Sequence, residues 1–139
     1  MRGKIFTIDE ANRMLPLVSR IADDIVAAYA DVNRALQAFE TAKSQAEKAP
    51  DDSSTQEILN ARDAEVAKVL DHFQGLIEEV EALGGTVKDY ERGFIDFYGE
   101  VDGEIVYLCW QRGEDHVGHW HRLEDGFSKR RPLPVPAAA

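Results

Sequence analysis

Residues 15–39 read LPLVSRIADDIVAAYADVNRALQAF, and this stretch decides the architecture. Its apolar side chains recur every seven positions in two interleaved rows. Leu15, Ala22, Tyr29 and Leu36 form one row, and Val18, Ile25, Val32 and Phe39 form the other. Such a seam requires helix, because only the helical period returns these positions to one stripe. Arg20, Asp23, Asp24, Asp31, Arg34 and Glu40 fall off both rows and face water or flank the seam.

Working outward, Thr7-Ile8-Asp9-Glu10 has the form of a capping box, with Thr7 and Glu10 satisfying each other's backbone amides. Pro16 interrupts the pattern, so either a short helix ends near Met14 or a single helix kinks. On the other side, Lys48 to Ser54 contains Pro50 and a polar cluster, which marks a loop. Ser54 and Glu57 offer a second capping box. The seven-residue period then returns with Leu59, Val66, Phe73 and Val80 in one row and Val69, Leu76 and Leu83 in the other. Gly84-Gly85 closes this helix, Gly84 supplying a left-handed cap. Two helices of ~30 residues, each ~45 Å long, joined by a short loop pack as an antiparallel hairpin. Their stripes are wide and need a third surface, either the β module, which would leave a monomer, or a second copy of the chain; a homodimer through a four-helix contact is the expected outcome.

Residues 86–136 change character. Gly93 to Tyr98 is aromatic and β-branched and reads as a strand. Asp102-Gly103 is a tight-hairpin signal, and Ile105 to Trp110 is the return strand, apolar on both faces and therefore central. His116 to His121 reads as a third strand after a turn at Gly113-Glu114-Asp115. The expected fold class is α+β: a long antiparallel α-helical hairpin (1–85) followed by a small antiparallel β-sheet module (86–136), in a single domain spanning 1–139.

Composition narrows the partners. The net charge is −10, which repels phosphate backbones and argues against nucleic-acid binding. The run Lys129-Arg130-Arg131 suits one anionic group but is too short to track a polymer. No apolar run approaches the ~20 residues that span a bilayer. Charges break up the first ten residues before a signal-type apolar segment can develop. The single cysteine, Cys109, has no disulfide partner in the chain. The expectation is a soluble, cytoplasmic protein with no membrane partner.

Site chemistry concentrates in the β module. His119 and His121 are two apart, so on a strand both imidazoles share a face and are able to share a metal ion. Glu114 is the favoured third ligand, with Asp96 and His116 as alternatives. Two histidines and a carboxylate suit a divalent transition metal such as Zn, Fe or Mn. His-x-His also occurs on exposed strands with no role, and a histidine serves equally as a general acid or base. Trp110 and Trp120 either line a ligand pocket or join Phe94, Phe97 and Phe127 in a core beneath the sheet. Arg130 and Arg112 are candidates to hold a small anionic ligand. Cys109 lies in the apolar strand, more suited to burial than to nucleophilic attack. No nucleophile triad and no glycine-rich phosphate loop occurs. The residues fit a small-ligand or metal-binding protein, with catalysis left open, or a structural protein that dimerises or docks a partner helix through its hairpin.

Four segments together carry a resemblance. They are Phe6-Thr7 with Glu10-Ala11-Asn12 and Leu15-Pro16; Gly93 with Asp96-Phe97; Leu108-Cys109-Trp110 with Gly113-Glu114; and His119-Trp120-His121 with Gly126-Phe127, Arg130 and Pro132-Leu133. In combination they resemble a bacterial domain-of-unknown-function family, DUF2203, over nearly the whole chain. The resemblance implies a small cytoplasmic bacterial protein and brings no activity, substrate or catalytic residue. It does imply that Glu114, His119, His121 and Arg130 belong to the family pattern. Lys129 and Arg131 depart from it, standing where the family usually has glycine and glutamine.

Overall fold

The computed structural model describes residues 4–134. Two helices, α1 (Ile8–Lys48) and α2 (Ser53–Ala82), form the hairpin. Five strands follow: β1 (Gly85–Asp89), β2 (Phe94–Val101), β3 (Glu104–Gln111), β4 (His119–Arg122) and β5 (Arg131–Pro132). The strands pair antiparallel in chain order, so the sheet is a meander with β3 at its centre. The protein is α+β, a helical hairpin followed by an antiparallel sheet.

The capping box at Thr7 is present. Thr7 Oγ1 accepts from the Glu10 amide at 3.0 Å, and Glu10 Oε1 accepts from the Thr7 amide at 2.9 Å. The backbone N–H of Thr7 and the nearby Lys4 ammonium, 3.0 Å away, hold the Glu10 carboxyl down at about 2. Pro16 does not end the helix. It lies exposed inside a continuous 41-residue α1, so the single-helix alternative holds there and not the break near Met14, and the helix exceeds the expected ~30 residues. The cap of α2 also differs from the expected Ser54–Glu57 box. Asp52 precedes it and its carboxylate accepts from the Ser54 amide at 3.0 Å, which starts the helix at Ser53. Gly84 does take the left-handed conformation, at φ 95°.

The seam is buried unevenly. Leu15, Val18, Ala22, Ile25 and Val32 are buried, whereas Leu36 is 41% exposed and only alanines are buried beyond it in α1. In α2 the buried residues are Phe73, Leu76 and Val80, all in its second half. The reason is the sheet. Ile95, Phe97, Val106, Leu108 and Trp110 form its helix-facing side and join one hydrophobic cluster with the loop-distant half of the hairpin. Phe6 extends this layer: its amide donates to the Tyr98 carbonyl at 2.7 Å and its ring meets Phe97 edge-on at 5.1 Å.

The β2–β3 hairpin turns at Asp102 (φ 53°) and Gly103 (φ 79°), as the Asp-Gly pair predicts. That two-residue turn fixes the register, with Val101 opposite Glu104 and Asp96 opposite Cys109. Gly99 must lack a side chain, because a Cβ there would run into the Leu108 side chain. The third strand is shorter than expected. Residues 112–118 form a loop, and β4 begins at His119. Segment 123–130, including a short 3₁₀ turn at Phe127–Lys129, then crosses the sheet face opposite the helices and returns the chain to β4 as β5. Phe127 stacks on Phe94 at 4.1 Å, so these two rings belong to this second face and not to the layer of Phe97 and Trp110.

Candidate functional site

Strand parity sorts the chemistry. In β2 to β4, Asp96, Tyr98, Tyr107, Cys109, His119 and His121 share the face turned away from the helices, in the register Asp96–Cys109–His119 and Tyr98–Tyr107–His121. His119 and His121 are therefore on one face, as their spacing requires. Their surroundings differ.

His121 is 2% exposed and Asp96 is fully buried. His121 Nε2 lies 2.8 Å from Asp96 Oδ2, and His121 Nδ1 lies 2.9 Å from the Arg122 carbonyl. A carbonyl only accepts, so Nδ1 carries a proton and donates it, which sets the ring's orientation. Asp96 Oδ1 has no hydrogen-bond partner of ordinary geometry among the described residues. Burial raises the Asp96 carboxyl above its ordinary range, against the opposing pull of His121, the Cys109 thiol and Lys88. Cys109 is buried beside it. Desolvation and the Asp96 carboxylate push its thiol far up, so it is a poor nucleophile in this setting.

His119 is a third exposed and turns toward Glu114, with Nδ1 3.5 Å from Glu114 Oε2. That nitrogen is itself buried and makes no hydrogen bond within the described residues. Glu114 is held from several sides. Arg130 donates to Oε1 and Oε2 at 2.8 and 2.9 Å, the Gln111 amide donates to Oε1 at 2.7 Å, and Trp110 Nε1 donates to the Glu114 carbonyl at 2.9 Å. Burial pushes the Glu114 carboxyl up, but the Arg130 hydrogen bonds, the Gln111 amide and the Arg130 charge outweigh it and set it below its ordinary range.

Among the residues singled out from sequence, the structure thus gathers Glu114, His119 and Arg130 in one group and His121 with Asp96 in another. Arg112 stands apart, its Nε 2.5 Å from Asp23 on α1. Trp110 is buried in the helix-facing core, and Trp120 packs against the same cluster with Arg131 over its ring. His116 is exposed in the 112–118 loop.

The first group borders a cleft of about 590 Å³ between the first turn of α1, the 113–118 loop and residues 132–134. Asn12 braces its walls, donating to the Ile8 carbonyl at 3.0 Å and accepting from the Val117 amide at 2.7 Å. Ile8, Val117 and Leu133 make its apolar surface, and Asp9, Glu114, Asp115, His116 and His119 bring its polar groups. A smaller cavity of about 210 Å³ lies over the second group, lined by Lys88, His121, Asp125, Gly126 and Phe127. The participation of Cys109 in that group was missed from sequence. The Asp-Gly turn is the signal that would have found it, since counting back from the turn places Cys109 opposite Asp96.

No described helix is long and apolar enough to cross a membrane. No curated protein and no solved structure matches the chain. A family model described as an uncharacterized conserved protein matches residues 4–133, which include both groups and all of the cleft's lining except Pro134. The chain belongs to that uncharacterised conserved family, DUF2203.

Proposed function

We propose that this protein binds a small organic molecule in the cleft beside His119, and that the molecule presents a cationic hydrogen-bond donor on an apolar body. The observation that carries this reading is His119 Nδ1, buried at the cleft without a hydrogen-bond partner among the described residues and 3.5 Å from Glu114 Oε2. Leaving such a nitrogen unpaired costs about 1–3 kcal/mol, which a donor seated between it and the carboxylate recovers. The lining supports the sign of the charge. Asp9, Glu114 and Asp115 face the cleft, and no lysine or arginine lines it among the described residues. Arg130 and Arg112, the residues that favoured an anionic ligand from sequence, each already meet a carboxylate. The mixture of apolar walls and a few converging polar groups is that of a ligand site.

Phenethylamine and phenylacetate make a matched probe pair. Titrated into labelled protein, the amine is expected to shift the amides of Val117, Gly118 and His119, and to lose that effect in His119→Ala. Shifts from phenylacetate alone would restore the anionic reading, and silence from both would end the proposal.

A second reading rests on the hairpin. Near the interhelical loop, Leu36 is 41% and Ile58 46% exposed, and no sheet covers this half. A second copy of the chain laid along it would form a four-helix contact. Light scattering across concentration tests this: mass that stays at 15.6 kDa rules the dimer out.

A further inference from the structure

We infer that Asp96, Cys109 and His121 form a binding site for a thiophilic divalent cation of the zinc class, separate from the cleft. Their donor atoms come from three adjacent strands and all lie within 4.8 Å of one another. None of the three side chains is more than 2% exposed. Ions of this class bind sulfur at ~2.3 Å and nitrogen or oxygen at ~2.0–2.2 Å, so ligands around one tetrahedral ion sit roughly 3.3–3.7 Å apart. The thiol therefore needs to move in by about an ångström or less, and the 2.8 Å contact between His121 and Asp96 needs to open slightly.

Three details favour an ion over a hydrogen-bonded pair with a thiol alongside. First, Asp96 Oδ1 is buried and, although the Cys109 thiol beside it interacts with the carboxylate, makes no hydrogen bond of ordinary geometry among the described residues, an uncommon state for a carboxylate oxygen in a packed interior. Second, His121 donates Nδ1–H to the Arg122 carbonyl, the outer contact by which metal-bound imidazoles are oriented, and this aims Nε2 into the cluster. Third, the buried donors carry the charge a dication needs, with Lys88 acting on Asp96 from the edge of the cluster. Arg130, which interacts with Cys109, has its own charge matched by Glu114, so a thiolate and the Asp96 carboxylate remain to neutralise a dication.

The donor set selects the metal. One sulfur, one nitrogen and one oxygen suit zinc, cobalt or ferrous iron and not magnesium or calcium. Three protein ligands leave a fourth position for water. The 210 Å³ cavity beside His121, with Lys88 and Asp125 at its rim, gives the ion a way in. This assignment moves the metal expectation away from His119 and Glu114 and keeps His121 and the alternative ligand Asp96.

The chain has one cysteine, which makes the test specific. Untagged full-length protein is loaded with Co²⁺, dialysed, and examined for cobalt content and for a thiolate-to-cobalt charge-transfer band in the near ultraviolet. The expected result is stoichiometric cobalt with the band, displaced by Zn²⁺ and lost in Cys109→Ser and Asp96→Asn. In the wild-type chain the band arises only from Cys109, so the outcome does not depend on the variants folding. Absence of stoichiometric ion, or ion bound without the band, overturns the inference. The amine titration of the cleft is read in metal-free protein, so each proposal fails on its own measurement.

Discussion

Glu114 shows how one side chain sets the shape of its surroundings. Its carboxylate closes the turn through the Gln111 amide and ties that turn to Arg130, sixteen residues on. Its carbonyl meanwhile satisfies the Trp110 indole, which would otherwise be a buried unpaired donor. Glu114→Gln keeps an acceptor but loses the charge and the two-point pairing. With the carboxylate 26% exposed and partly screened, the expected loss is about 1–2 kcal/mol at neutral pH. The folded-state pKa of Glu114 is depressed, so its contribution is present above the ordinary value of 4.5 and fades as pH falls through the folded value. Urea unfolding of both proteins should therefore show a gap at pH 7 that closes in acid; a gap independent of pH would mean that the charge is not what matters. Glu114 and Arg130 were both recognisable from sequence as site residues. That they satisfy each other was not, because the path of residues 123–130 across the sheet has no local pattern to reveal it.

At the level of elements, the β2–β3 turn, the 112–118 loop and the proline inside α1 differ in how far local sequence decides them. Asp102-Gly103 has a local conformational requirement, positive φ at both positions, and so its turn and the β2–β3 register were legible in the sequence. The β3–β4 register was not, since the intervening loop follows no such rule. It depends instead on tertiary ties such as Asn12 to Val117 and Trp110 to Glu114. Pro16 misled because its local effect is real but outweighed: Leu15 and Val18 on either side are held in the core, and the helix continues through the missing bond to the Asn12 carbonyl. Removing that defect should help. Pro16→Ala is expected to stabilise the protein by about 1–3 kcal/mol, the interior helix penalty of proline less the unfolded-state entropy it restricts. Chemical denaturation reads this directly, and a destabilised variant would mean that the proline sets the angle at which α1 meets the sheet.

For the molecule as a whole, the heptad rows announced two packed helices but not how far the packing extends. Periodicity reports a face and does not report whether anything covers it. The sheet covers only the half of the hairpin that carries Leu15 to Val32 and Phe73 to Val80, and there the protein has three layers, counting segment 123–130 beyond the sheet. Past that point it has two helices joined through Ala35, Ala42 and Ala46, with little apolar surface to hold them. One chain therefore contains regions of very different local stability. Amide hydrogen exchange should divide α1 in mid-helix, with slow exchange from Ala11 to Val32 limited by global unfolding and fast exchange from Leu36 to Lys48 through local opening of the hairpin tip. Uniform protection along α1 in dilute protein would contradict this picture. Protection of the tip that rises with protein concentration would be the signature of a second chain, so a single helix can report on both its own fraying and its partner.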